Sequence, residues 1–293
     1  MMETTIQIHN LTKKYKSTCA LNQINLEIHQ GMFGLIGPNG AGKSTLMKIL
    51  ATIQNKTEGE VTICGLPLEK RSEVRSMIGY LPQEFSMYGN MTVYEALDYL
   101  AVLSGLDRST RKRQIPKTLE LVNLAQQAEV KVKSLSGGMK RRLGIAQAIL
   151  HDPKVIIVDE PTVGLDPEER VRFRNLLCEL AENRIVLLST HIVADIEATC
   201  DQVAVISEGN LIFQGHIQEL LQKVDKKVYS VEISTTELSM IKKKYLVTGI
   251  LTTGAVSRVK IVSDSVPLPN AKQVEPDVED AYLYFMHQKN GEV

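Results

Sequence analysis

In the stretch Gly37-Pro38-Asn39-Gly40-Ala41-Gly42-Lys43-Ser44-Thr45, the eight residues from Gly37 to Ser44 fit the pattern G-x-x-x-x-G-K-[ST] in full. Glycine at 40 and 42 removes the Cβ that would keep an anion off the backbone. Bare N–H groups can then surround phosphate oxygens, at the positive end of the helix that follows. Lys43 would reach the β- and γ-phosphates, and the Ser44 hydroxyl would be a ligand of Mg²⁺. The residues describe a nucleotide site.

Two carboxylates stand where such a site needs them. Val155 to Val158 is a continuous apolar run that ends in Asp159-Glu160. A strand apolar on both faces is central to a parallel sheet, and ligands gather at the carboxyl ends of such strands. Asp159 there would hold Mg²⁺, and Glu160 would orient and deprotonate a water beside the γ-phosphate. A second glycine pair follows Ser136, in Leu135-Ser136-Gly137-Gly138-Met139. Met139, Leu143, Ala146, Ile149 and Leu150 recur at helical spacing, so Ser136 is an N-cap. An ordinary capped helix with Lys140, Arg141 and Arg142 on a solvated basic face leaves the glycines unexplained. A second anion-binding helix start explains them.

Short elements must carry these groups. Ile6 and Ile8, then Leu26 and Ile28, alternate with polar neighbours as short strands do. Tyr15 lies between them, before a turn around 16–18, as a core aromatic, a solvent-facing one, or a stacking platform for adenine. Phe33 to Ile36 is a buried strand feeding the phosphate loop, and Leu46, Met47, Ile49 and Leu50 form the apolar face of the helix after it. Strands are also expected at 60–64 and 78–81, and Gln83 follows the second of them. Thr92-Val93-Tyr94-Glu95 has the capping-box form that starts a helix, here running to about Ser104. Another is expected over 108–122, interrupted near Pro116. The block 84–150 holds no convincing strand and reads as a helical insertion in a parallel α/β core. Asp166-Pro167-Glu168-Glu169 opens a helix with Asp166 as N-cap and proline at the first helical position. Ile185 to Leu188 repeats the buried-strand pattern and ends in Ser189-Thr190-His191. From spacing alone that histidine is structural or at the surface.

Bulk properties narrow the setting. The chain has 293 residues with 34 Lys plus Arg and 34 Asp plus Glu, so no net field invites nucleic acid or an anionic surface. Its apolar runs are too short to span a bilayer. Met-Met-Glu-Thr-Thr at the start carries no leader pattern. Cys19, Cys64, Cys178 and Cys200 lack metal-ligand spacing, as idle thiols in a reducing compartment would. These features predict a soluble, cytoplasmic chain.

Taken together, residues 4–215 resemble the ATP-binding cassette family, the nucleotide-hydrolysing subunits of membrane transporters, with several motifs in the family's order. Gly37 to Thr45 is similar to the Walker A loop, and Tyr15 to the aromatic that stacks on adenine. Gln83 resembles the glutamine that senses Mg²⁺ and faces the membrane partner. Leu135 to Met139 resembles the family signature, with Met139 where glutamine is commonest. Its phosphate contacts would come from the Ser136 hydroxyl and the Gly137 and Gly138 amides. Asp159 and Glu160 resemble the Walker B aspartate and the catalytic glutamate. Gly164-Leu165-Asp166 is similar to the loop that crosses the dimer interface, and His191 to the switch histidine on the γ-phosphate.

The resemblance implies a P-loop NTPase core of α/β class, with a parallel sheet, an N-terminal antiparallel β-subdomain and an inserted helical subdomain. It implies ATP and Mg²⁺ as cofactors, and a head-to-tail pairing with a second copy or a paralogue, so that each ATP lies between one subunit's Walker A loop and the other's signature. It also implies a separate integral membrane permease, an export direction from the Met139-Lys140-Arg141-Arg142 run, and a peripheral place on the inner face of the cell membrane. A soluble cassette ATPase working as a clamp on ribosomes or nucleic acid is the alternative. Such proteins usually carry two cassettes or long coiled coils, and this chain has neither.

Residues 1–215 form the expected nucleotide-binding domain. Residues 216–293 read as a small α+β extension, with a short helix from Ile217 to Leu221 and strands near 229–233, 246–251 and 256–262. Glu275-Pro276-Asp277 leads a last helix whose Val278, Ala281, Tyr282, Phe285 and Met286 share one face.

Overall fold

The computed structural model describes residues 4–289. The first three residues, which carry the expectation of no leader, and the last four of the extension lie outside them. The chain divides into two compact units, Met1–Leu211 and Ile212–Val293.

The first unit opens on a long hairpin, β1 (Ile6–Tyr15) and β2 (Thr18–Ile28), where the alternation alone predicted shorter pieces. Register shifts at Leu11, Lys13 and Lys14 break the simple alternation while the two strands stay paired. β3 (Gly31–Ile36) then leads through the glycine loop into α1 (Lys43–Leu50). β4 (Glu58–Ile63), β5 (Leu66–Pro67), α2 (Arg71–Met77) and β6 (Ile78–Leu81) follow.

The helical block holds α3 (Val93–Leu103), α4 (Arg108–Leu121) and α5 (Gly137–Ile149). Both arms of the Thr92/Glu95 capping box are made, so α3 starts where the pattern places it. α4 runs unbroken through Pro116, contrary to expectation. Asp107 accepts from the Ser109 and Thr110 amides at its start, while Ile115 and Leu119 are buried on its inner face. Cap and burial together outweigh the one backbone bond that proline removes.

Two further α/β steps and a strand follow: β7 (Val155–Asp159) with α6 (Pro167–Ala181), β8 (Ile185–Thr190) with α7 (Val193–Thr199), then β9 (Gln202–Ser207). β10 (Asn210–His216) spans the division between the units.

Two sheets organise the first unit. One is antiparallel, in the order β2-β1-β4-β5. The other runs β9-β3-β8-β7-β6 within this unit, and its neighbours are parallel. Every residue of β7 and β8 is buried, as the uninterrupted apolar runs require. Ile6, Ile8 and Leu26 of the first sheet and Leu35, Ile157 and Leu187 of the second share one core with Leu46, Met47 and Leu50 of α1. The helix that leaves the phosphate loop is thus held in core contact with both sheets. Each such fully buried side chain contributes about 1.5–3 kcal/mol.

The second unit comprises α8 (Ile217–Gln222), β11 (Val228–Ser234), α9 (Leu238–Lys244), β12 (Leu246–Thr253), β13 (Val256–Val262), β14 (Lys272–Gln273) and α10 (Val278–Lys289). Its sheet is antiparallel, ordered β12-β13-β11-β14. Val231, Ile233, Val259 and Ile261 pack with Ile241 of α9, a helix the sequence pattern did not reveal. α10 packs on α8 and β12.

Candidate functional site

Strand register assembles the site. Ile36 pairs with Thr190, Asp159 with Ser189, and Leu81 with Val158. The segments that begin at Gly37, Glu160, His191 and Pro82 therefore leave one edge of one sheet, at the carboxyl ends of four adjacent strands. That edge is where ligands bind in open α/β sheets.

The glycine loop is shaped by backbone that other residues resist. Gly40 has φ 81° and Gly42 φ 108°. A Cβ on Gly42 would lie 2.5 Å from the Ala20 carbonyl oxygen, and one on Gly37 would lie 2.1 Å from that of Ile206. Lys43 is 5% exposed. Its Nζ donates to the carbonyls of Gly37 at 2.7 Å and Pro38 at 3.2 Å. Burial pushes the ammonium below the ordinary lysine range, and the charges of Glu160 and Asp159 pull it part of the way back.

Glu160 joins the loop to the histidine. Its Oε1 is 3.6 Å from Lys43 Nζ, and its Oε2 is 2.7 Å from His191 Nδ1. Glu160 is 4% exposed, whereas the His191 side chain is 43% exposed. Spacing alone placed His191 as structural or at the surface; it is exposed, and its ring lies on the candidate base. Glu160 also takes the left-handed conformation, with φ 49°. A non-glycine residue there costs about 1–3 kcal/mol, which surrounding contacts must offset. Its amide donates to the Ser189 carbonyl at 2.9 Å. Ser189 also donates its hydroxyl to Asp159 Oδ1 at 2.8 Å, which aims a carboxylate that is 1% exposed.

The donor set suits a hard cation. A serine hydroxyl after the lysine and one buried, oriented carboxylate are what Mg²⁺ takes from a protein when phosphates supply other ligands. Among the described residues no group of three or more His, Cys, Asp or Glu forms a cage for another metal.

Other predicted residues stand apart from the Lys43–Glu160–His191 group. Ser136 accepts from the Met139 amide at 3.2 Å as the N-cap of α5. Asp166 accepts from the Glu169 amide at 2.9 Å as the N-cap of α6. Both of these bonds are local, and Gly137 is exposed beside Ser136. Gln83 is exposed and lines a shallow pocket with Phe85, Gly137, Arg141 and Gly164. Tyr15 is 45% exposed, not core. Its hydroxyl accepts from Gln54 and Lys13 Nζ lies 4.8 Å from its ring centroid.

The alternative of a solvated basic face on α5 does not hold for Arg141 and Arg142. Arg142 is buried, donates to the Asn123 carbonyl at 2.8 Å and lies 3.4 Å from Glu169 Oε2. Arg141 is half-buried among backbone carbonyls. Partners from distant segments turn these two cations inward, which periodicity within one helix cannot reveal. A further buried group escaped the sequence. Asp195 of α7 is fully buried and accepts from Thr162 Oγ1 at 2.5 Å and Arg170 Nε at 2.7 Å.

A phosphate-binding loop before α1, a buried aspartate at the end of β7 and a glutamate poised over the lysine define a P-loop nucleotide hydrolase. Residues 21–163 match the model of the ABC transporter family. The ABC transporter ATP-binding protein YxlF of Bacillus subtilis is 33% identical, over 96% of this chain and 99% of its own. The bacitracin transport ATP-binding protein BcrA of Enterococcus faecalis is 34% identical, over 91% and 87%. The solved ATP-binding subunit of an ABC transporter superposes with a TM-score of 0.68 at 29% identity, covering 75% of this chain and 93% of its own. A bacterial ABC transporter cassette solved as a dimer in a post-hydrolysis state with ADP and phosphate gives 0.66 at 26%, covering 72% and 98%. This chain belongs to the ABC transporter ATP-binding proteins. It is an ATP-hydrolysing subunit of that family, with the α/β P-loop fold the motifs implied. Among the described residues no helix is long and apolar enough to cross a membrane.

Proposed function

We propose that two cassettes, this chain with a second copy or a paralogue, trap ATP head to tail and drive a separate membrane permease, in the direction of export. The observation that carries the hydrolytic half is Glu160, 3.6 Å from Lys43 and 2.7 Å from His191 at the end of β7. Lys43 and the loop amides of 37–45 hold the β- and γ-phosphates, with Tyr15 against the adenine. Ser44, Asp159 and Gln83 hold Mg²⁺, which when bound neutralises charge between those phosphates. Glu160 takes a proton from the water that attacks the γ-phosphorus. The bond to the ADP oxygen breaks, and His191 touches the departing phosphate while it orients the carboxylate.

Ser136, Gly137 and Gly138 have only local roles within one chain, and so does Asp166. A second subunit gives them a substrate: the N-terminus of α5 meets the partner's γ-phosphate, and the loop at Gly164 crosses the seam. The interface is then the bistable element, closed by ATP and released by hydrolysis. The name of one relative, a Nod factor export ATP-binding protein, supports the export reading. Attachment through the permease places the chain on the inner face of the membrane. Residues 216–293 act as an accessory domain.

Glu160→Gln tests the reading. It keeps shape and hydrogen-bonding reach but cannot accept a proton, so ATP binding should persist while turnover drops about 10²–10⁴-fold. Turnover near the wild-type rate would refute the role given to Glu160.

A further inference from the structure

Arg141 donates its hydrogen bonds to main-chain carbonyls, and the negative charge of Asp159 also acts on its guanidinium. Nη1 donates to the Pro82 carbonyl at 3.1 Å, Nε to that of Pro161 at 3.1 Å, and Nη2 to that of Glu160 at 2.9 Å. Pro82 immediately precedes Gln83, and the other two carbonyls belong to the turn that carries the candidate base. The arginine itself lies in α5, five residues beyond the Ser136 cap. One side chain thus ties the start of the glutamine loop and the Glu160 turn to the helix that begins at the glycine pair. A planar fork of five donors can hold three carbonyls in a fixed relation, which a lysine point charge cannot do.

The Glu160 turn needs such a hold. Its backbone is left-handed at φ 49°, a conformation that a glutamate abandons unless its surroundings enforce it. Ser189 fixes the amide of Glu160 and Arg141 fixes the carbonyl. Between them the backbone from which the side chain reaches toward Lys43 and His191 is held.

We propose that Arg141 is a positioning residue of the ATPase reaction: it holds the Glu160 turn at the angle that aims the carboxylate, and locks that turn to the Gln83 loop. The inference rests on the reading of Glu160 as the base. It assigns a mechanical link between the exposed Gln83 loop and the buried carboxylate, so a displacement of the loop changes the aim of the base. A scaffold role for Arg141 would affect folding and nucleotide affinity; a positioning role acts through Glu160 alone.

A double-mutant cycle on the full chain separates the two. ATP affinity and single-turnover hydrolysis with Mg²⁺ are measured for wild type, Arg141→Met, Glu160→Gln and the double variant. Methionine has comparable reach and no donors. A misaimed group costs about 10²-fold, so Arg141→Met should lower the hydrolysis rate by about that factor. Its ATP Kd should stay within about twofold of wild type. In the Glu160→Gln background the same change should slow hydrolysis no further, since the group it aims is gone. An unchanged rate in Arg141→Met overturns the proposal, and so does a Kd that rises in step with the loss. A full second loss in the double variant assigns Arg141 to the scaffold. If the methionine variant does not bind ATP, Arg141→Lys carries the test: a rate about 10-fold lower at unchanged Kd supports the proposal, and a wild-type rate overturns it. Near-normal hydrolysis by Glu160→Gln would instead sink the underlying reading of the base.

Discussion

Asp195→Asn should destabilise the nucleotide-binding unit more than any surface change of equal chemistry. Its carboxylate is fully buried on α7 and accepts from Thr162 Oγ1 at 2.5 Å and Arg170 Nε at 2.7 Å, with Arg174 Nη1 at 3.5 Å. Amidation strips the negative charge from two arginines at once. Breaking one side of a buried pair costs about 3–5 kcal/mol. The arginine side chains are 27% and 21% exposed, so water recovers part of their solvation and the lower figure applies. For a unit of this size about 1 kcal/mol moves the midpoint by about 2–4 °C, so about 3 kcal/mol predicts a fall of about 6–12 °C. Calorimetry of the full chain reads it directly. Arg172→Ala is the control, since its side chain is 53% exposed in its pairs with Glu168 and Glu169 and pairs made by an exposed arginine contribute under about 1 kcal/mol. An Asp195→Asn midpoint no lower than the control's would refute the assignment of a buried network here.

Two more predictions concern pairing and pH. Ser136→Arg, placed in the Glu160→Gln background, should abolish ATP-dependent association in sedimentation while each chain still binds one nucleotide; association at the parent's level would remove the α5 N-terminus from the interface. In the C-terminal unit Lys260 Nζ lies 2.6 Å from Asp277 Oδ2 and 2.6 Å from Asp280 Oδ2. Burial pulls Lys260 down, but its hydrogen bonds to both aspartates leave it above its ordinary value of 10.5. Burial likewise pushes Asp277 up, but its hydrogen bonds to Lys260 and Asp280 and the Lys260 charge together more than offset it, leaving it below 3.8. The lysine's contribution is therefore complete below the ordinary lysine value and lost as pH rises through its higher folded one. The aspartate's is present above the ordinary carboxylate value and lost as pH falls through its lower folded one. Between these limits the cluster itself adds no pH dependence to the stability of the C-terminal unit. Lys260→Met should be less stable at neutral pH and regain part of the deficit toward acid, as the orphaned carboxylates protonate. Parallel profiles of urea midpoint against pH for the two proteins would contradict this.

The sequence made the chemistry legible where a motif and its element coincide. Gly37 to Thr45 sit between a strand and a helix, and the run from Val155 to Glu160 announces both its burial and its acidic end. What stayed hidden depends on partners far along the chain. His191 has no local distinction, and only the pairing of β8 with β7 brings its ring to Glu160. Arg141 and Arg142 look like solvent-facing neighbours of Lys140 until carbonyls from 82, 123, 160 and 161 surround them. Pro116 misled for the opposite reason, since a local rule was outweighed by a cap and a buried face.

The left-handed turn at Glu160 has a meaning for how such a position can drift. Glycine or asparagine would relax the backbone there, but either would leave the buried ammonium of Lys43, 3.6 Å away, without its carboxylate partner. Backbone comfort alone would therefore push residue 160 away from glutamate. The buried charge it meets and the phosphate bond it cuts push it back, so this position gives up local ease for a working site.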